Sequence, residues 1–186
     1  AVLVLTLPQV CCGVWEDALD FMYGSSFKAD DHTAIPLLYI AQHLKIRELY
    51  KCAGGFVAEA LSPRSAPAFL VSADRLGLNT VAEASAAMVA ESFDTYCSVA
   101  GQMETVFNPM PLPMLAHILA HPDMAGSPAN VSHCITSYLR YTEGSATLGS
   151  RQFDLLTETM VSVAQEDALY LWGRAAYIQH ARVEAL

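Results

Sequence analysis

Paired-cysteine spacing, basic charge and long apolar runs are all scarce in this chain of 186 residues, and each shortage closes off a class of function. Five cysteines, an odd number, stand without any C-x-x-C spacing. That pattern disfavours a disulfide framework and points to free thiols in a reducing compartment. Ten Lys and Arg oppose nineteen Asp and Glu, a net charge of −9. Such a field repels phosphate backbones, and no Lys/Arg patch offsets it, so nucleic-acid binding is disfavoured. No apolar run approaches the ~18–20 residues that span a bilayer. The opening "AVLVLTLP" has neither a basic leader nor a long apolar stretch, so no secretory signal is expected. It lacks an initiator Met and starts inside what reads as a strand, so a fragment of a longer protein is expected. A cytoplasmic or nuclear setting fits these absences.

Hydrophobic side chains are abundant, at 53% against 16% charged, which excludes a disordered chain. The length suits one ordinary domain or two small ones. Residues 2–7 alternate weakly and read as a short strand ended by Pro8. "GVWEDALDFMYG" places Val14, Trp15, Ala18, Leu19 and Met22 at helical spacing, with Gly24 as the stop. "SSFKADDH" is a polar turn in which Asp30 or Asp31 can cap the next helix.

The stretch "IPLLYIAQHLKIRELYKC", residues 35–52, looks at first like one amphipathic helix. Leu37, Leu38, Ala41 and Leu44 share a face, but continuing that face meets Lys45 and Glu48. Apolar residues restart out of phase at Ile46, Leu49, Ala53, Phe56 and Val57. On a helix Leu44 and Ile46 lie about 200° apart, so one straight rod cannot bury both on one side. Two short helices with a tight break near Lys45 resolve the conflict.

Beyond Ser62-Pro63 the pattern is helical throughout. "SAPAFLVSADRLGL" has Ser65 as N-cap and Gly77 as stop. Asn79 can cap "TVAEASAAMVAESF", whose Val81, Ala84, Ala87 and Met88 form one face. "NPMPLP" connects rigidly into "MLAHILAH". Pro128 opens a helix carrying Val131, Ile135, Tyr138, Leu139 and Thr142 in register. A Gly/Ser turn over residues 144–150 precedes helical patterns through Phe153, Leu156 and Met160, then Ala168, Leu171, Trp172, Ala175 and Ile178. No repeat of fixed period is visible. Short helices joined by short connectors suggest stacked antiparallel hairpins.

Chemistry-bearing motifs are few. His117 and His121 at i, i+4, with Asp123, have metal-ligand spacing, yet no H-E-x-x-H glutamate accompanies them, and cap or surface roles are favoured. Ser25 and Lys28 make an S-x-x-K in a polar turn with no companion motif. Adjacent His133 and Cys134 diverge by about 100° on a helix and cannot pair; Cys134 is expected near the core edge and Cys52 in the core. Gly54-Gly55 is no phosphate loop, lacking a preceding strand, and implies close packing or a helix end. Asn130-Val131-Ser132 is a glycosylation sequon expected to be idle. Tyr23, Tyr39 and Tyr50 suit a core boundary or a partner face. No catalytic, cofactor-binding or metal-binding constellation survives, and a hydrolase or metalloenzyme is not favoured.

"WEDALDFMYG", a polar turn and "LLYIAQHLKIRELYKCAGGFV" resemble the C-terminal half of a BTB (POZ) domain. The matching positions are Tyr23 and Gly24 at its Tyr-x-Gly turn, Leu37, Leu38 and Ala41, the L-x-I break at Leu44 and Ile46, then Leu49, Cys52 and Phe56. "FLVSADRLGLNTVAEASAAMVAESF", "LPMLAHILAHPDM" and "VSHCITSYLRY" are similar to the BACK domain that follows BTB in kelch-like adaptors. Tyr141 stands where BACK domains often carry Trp, Gly54-Gly55 is unusual for its helix, and no kelch blades follow.

The resemblance implies a mainly α fold: a truncated α/β BTB half with one short N-terminal strand over residues 1–61, then BACK-like hairpins over 62–186. It implies a non-enzymatic substrate adaptor for a cullin-type ubiquitin ligase, homodimeric through the absent BTB half, with a cullin scaffold and a ubiquitination substrate as partners. Without that half the fragment is expected to self-associate or to depend on the absent portion for solubility. Helices over residues 65–93 are expected to present an apolar partner groove, with Tyr23, Leu70, Arg75 and Leu76 as contact residues. The alternative is an oligomeric or transcription-related scaffold without ligase recruitment.

Overall fold

The computed structural model describes residues 6–142, and the helical patterns expected beyond Thr142 lie outside them. Ten α-helices account for most of this span, and no strand occurs among the described residues. Of the strand expected over 2–7, residues 2–5 lie outside the description, while Thr6 and Leu7 are irregular and Pro8 leads into a helix instead. The chain divides into two compact units, Ala1–Met88 and Val89–Leu186.

In the first unit, α1 (Gln9–Cys12) is a single turn that sequence periodicity is too short to reveal. α2 (Trp15–Met22) follows and stops at Gly24, whose φ is 98°. α3 (Ala34–His43) is the centre. Ala34, Ile35, Pro36, Leu37, Leu38, Ile40 and Ala41 are all buried, so the helix is covered nearly all round and is not amphipathic as expected. A helix with so little polar surface must be surrounded. α1, α2, α4 (Arg47–Ala60) and α5 (Ala66–Arg75) pack against it.

The expected break is present. Leu44 ends α3, Lys45 adopts φ 58°, and Ile46 is extended before α4 begins. The Ile46 amide donates to the Ala41 carbonyl at 2.9 Å and the Lys45 amide to Gln42 at 3.3 Å. Leu44 and Ile46 both pack against the core formed by Leu37, Leu38, Leu49 and Ala53.

Helix starts differ in detail from the expectation. Asp30 caps the turn leading into α3 rather than the helix itself: its Oδ1 accepts the amides of His32 at 2.9 Å and Thr33 at 2.8 Å. Thr33, at the N-cap, makes no side-chain capping bond. Ser65 sits at the N-cap of α5, but its hydroxyl donates to the Ala60 carbonyl at 2.6 Å, fastening the end of α4 to the start of α5. Asn79 is the first residue of α6 (Asn79–Glu91), one position inside the expected cap. The buried face of α6 carries Ser85, Ala86, Val89 and Ala90, while Ala84 is exposed, so the face expected through Val81, Ala84, Ala87 and Met88 is rotated. Alanine on every side gives such a helix little hydrophobic contrast, and its neighbours decide which side is covered.

The second unit holds α7 (Phe93–Ser98), α8 (Gln102–Phe107), α9 (Leu112–Leu119) and α10 (Pro128–Thr142). Phe93 and Tyr96 close on Phe107 with ring centroids at 5.0 and 5.7 Å. α10 starts where expected, and Val131, Ile135, Tyr138 and Leu139 are buried as its spacing required. The buried Tyr138 hydroxyl donates to the Met110 carbonyl at 3.0 Å.

Candidate partner-binding cleft

The same turn is built twice in the first unit. At the end of α5, Gly77 takes φ 66°, its amide donates to Asp74 at 3.1 Å, and the Leu78 amide donates to Ala73 at 2.9 Å. Each turn satisfies otherwise orphaned carbonyls and redirects the chain into the next helix. Both put an apolar residue, Ile46 or Leu78, back onto the core.

Between the end of α3 and the corner joining α5 to α6 lies a cleft of about 360 Å³, lined by Tyr39, Gln42, His43, Leu76, Gly77 and Leu78. Tyr39 and His43, one helical turn apart, stack with centroids 5.7 Å apart and planes 10° from parallel. Gln42 and His43 are exposed, Tyr39 is half-buried, and Leu76 and Leu78 are each 7% exposed. The lining is mainly polar, with leucines beneath, rather than the apolar groove expected. Its chemistry suits a partner segment that offers both hydrogen bonds and a small apolar contact.

Of the expected contact residues, Leu76 lines this cleft, while Arg75, one position before it, is exposed and outside the lining. Leu70 is buried, 3% exposed, and serves packing. Tyr23 is 89% exposed at the C-cap of α2. Tyr39, Gln42 and His43 were not singled out as cleft residues, because only the fold carries them to the turn thirty-odd positions away.

The remaining motifs resolve individually. The His121 Nδ1 accepts the Asp123 amide at 3.2 Å, and the His117 and His121 rings meet edge to face at 6.0 Å. Among the described residues no group of three or more His, Cys, Asp and Glu side chains is placed to hold a metal. His133 is exposed and Cys134 buried, as their adjacency on α10 demands. Cys134 is 1% exposed whereas Cys52 is half-buried, the reverse of the expected order. Burial pushes the Cys97 thiol up to about 11, helped by Asp94 and Glu104, and raises Cys134 and Cys11 as well. Such thiols are poor nucleophiles at neutral pH. The sequon is tied into the structure: Asn130 Nδ2 donates to Asp94 Oδ1 at 2.9 Å and Ser132 is fully buried. Gly54 and Gly55 lie inside α4, and neither has a neighbour that a methyl group would collide with. Neither expected explanation, tight packing or a helix end, holds there.

No helix among the described residues is long and apolar enough to cross a membrane. Neither a protein-family model, nor a curated protein, nor a solved structure matches the chain.

Proposed function

We propose that this chain is a non-enzymatic binding scaffold, a BTB–BACK type adaptor that presents a cullin-type ubiquitin-ligase scaffold to a substrate held elsewhere. The observation that carries the reading is the cleft at the corner of α3 and α5–α6, with Leu76 on its wall and Arg75 exposed one position before it. The resemblance implies partner contacts on the helices over residues 65–93, to which Leu76 belongs, and the Lys45 turn gives the L-x-I break physical form. On this reading residues 1–61 are the BTB half and 62–186 stack as BACK-like hairpins, and the whole protein dimerises through BTB surface upstream. The net charge of −9 supports a protein partner over a nucleic acid.

The test is capture of a cullin scaffold by the full-length protein, with His43→Asp altering the exposed cleft wall, Arg75→Glu the exposed end of α5 and Tyr23→Ala the α2 turn. Capture by the wild type that is lost on changing His43 and Arg75 supports the reading. Equal capture by all variants removes the cleft from the interface, and no capture by the wild type removes ligase recruitment.

A further inference from the structure

We propose that Tyr23 is a phosphorylation site for an acid-directed protein tyrosine kinase, and that the phosphate loosens the end of α2. The inference goes beyond the adaptor reading and stands without it.

Three observations converge. Tyr23 is 89% exposed, while the other large exposed phenols among the described residues, Tyr50 and Tyr141, are 48% and 55% exposed. Tyr23 ends a helix and opens a segment without regular structure, since residues 25–30 belong to no helix and Gly24 turns the chain at φ 98°. A kinase cleft accepts extended backbone, and such a segment can be drawn out with little unfolding. Tyr50 instead sits inside α4, its amide bonded to Ile46 at 2.9 Å, and Tyr141 lies in α10 directly after Arg140. Finally, Glu16, Asp17 and Asp20 precede Tyr23 at spacings of seven, six and three and are all exposed, an acidic stripe along the chain just upstream of the phenol. A basic substrate groove on the kinase would recognise that stripe.

In the step itself the γ-phosphoryl group of ATP passes to the Tyr23 Oη. The bond from that phosphorus to the ADP oxygen breaks, the Oη–P bond forms, and the phenolic proton leaves to the kinase's base. The product sets nearly two negative charges beside Asp20 and at the negative end of α2, two unfavourable placements together.

Incubation of the full-length protein with ATP, Mg²⁺ and an acid-directed tyrosine kinase, read by intact mass and peptide sequencing, tests the site. Tyr23 is expected to label at least about tenfold faster than Tyr50 or Tyr141, the ratio set by easier local opening. Tyr23→Phe should remove that phase, and Glu16→Gln with Asp17→Asn and Asp20→Asn should slow it. The thermal midpoint should fall by about 2–4 °C on phosphorylation. Labelling of Tyr50 or Tyr141 first, or a rate indifferent to the three carboxylates, overturns the assignment. An unchanged midpoint in the fully labelled protein overturns the proposed loosening of α2.

Discussion

Lys45 and Gly77 occupy the same position of the same turn: each follows a leucine at the end of a helix, at φ 58° and 66°, and each directs an aliphatic residue back to the core. Glycine fills the left-handed site without strain, whereas an L side chain there costs about 1–2 kcal/mol. Glycine also loses more backbone freedom on folding, which returns about 0.5–1 kcal/mol. The balance leaves Lys45→Gly more stable by roughly 0.5–1 kcal/mol and Gly77→Lys less stable by a similar amount. Urea unfolding of both variants beside the wild type checks the two signs, and a destabilised Lys45→Gly contradicts the turn geometry.

Gly54 and Gly55 give a second stability prediction. A Cβ at Gly54 meets only Leu38 Cδ1 at an ordinary 3.8 Å, and a Cβ at Gly55 meets nothing within 4 Å. With no clash to oppose the gain in helix propensity, each Gly→Ala change should stabilise by about 0.5–1 kcal/mol. Thermal melts of the single and double variants would show it. A loss of stability at either position contradicts the open surroundings described for α4.

Gly126 should behave in the opposite way. A Cβ there would lie 2.7 Å from the buried Phe93 ring and 3.1 Å from Val131. Overpacking of this kind costs about 1–3 kcal/mol. Asp94 holds the same region, its Oδ1 accepting from the Ser127 amide and from Asn130, both at 2.9 Å. Asp94→Ala removes two charge-assisted bonds at the start of α10 and should cost about 1.5–3 kcal/mol. Chemical denaturation of Gly126→Ala and Asp94→Ala tests both. Wild-type stability in either one refutes the packing described.

These contrasts show where the residues themselves were readable. Gly24 and Gly77 mark helix ends because their backbones need positive φ, and the phase slip between Leu44 and Ile46 exposes a turn even though a lysine fills it. α10 was legible because its apolar stripe is sharp. α6 was not, since alanine on all sides leaves the covered face to tertiary packing. Gly54-Gly55 misled for a related reason: glycine in a helix signals close approach only when a neighbour is present. At the cleft, Leu76 was accessible through the family resemblance. Tyr39 was legible as a tyrosine suited to a core boundary or a partner face, whereas Gln42 and His43 were hidden because a polar cleft wall has no periodicity of its own.

Asp30 sets a pH dependence. Its carboxyl is held below its ordinary 3.8 by the Thr33 hydroxyl first, then by the Thr33 and His32 amides. A carboxylate with a depressed folded pKa adds stability above its unfolded pKa, and that contribution fades as pH falls through the folded value. Asp30→Ala should therefore cost about 1 kcal/mol near neutrality, as for loss of a side chain that caps backbone amides, with the difference shrinking as pH falls below the ordinary carboxylate value. Unfolding curves of both proteins across that range test it. A difference that grows in acid has the wrong sign.

The adaptor reading is tested most directly by calorimetric titration of the full-length protein with a purified cullin N-terminal region. Saturable binding that weakens by about tenfold or more in the His43→Asp, Arg75→Glu double variant, at unchanged thermal stability, is the predicted result. Absence of binding by the wild type, or equal affinity in the variant, contradicts the proposed role of the cleft.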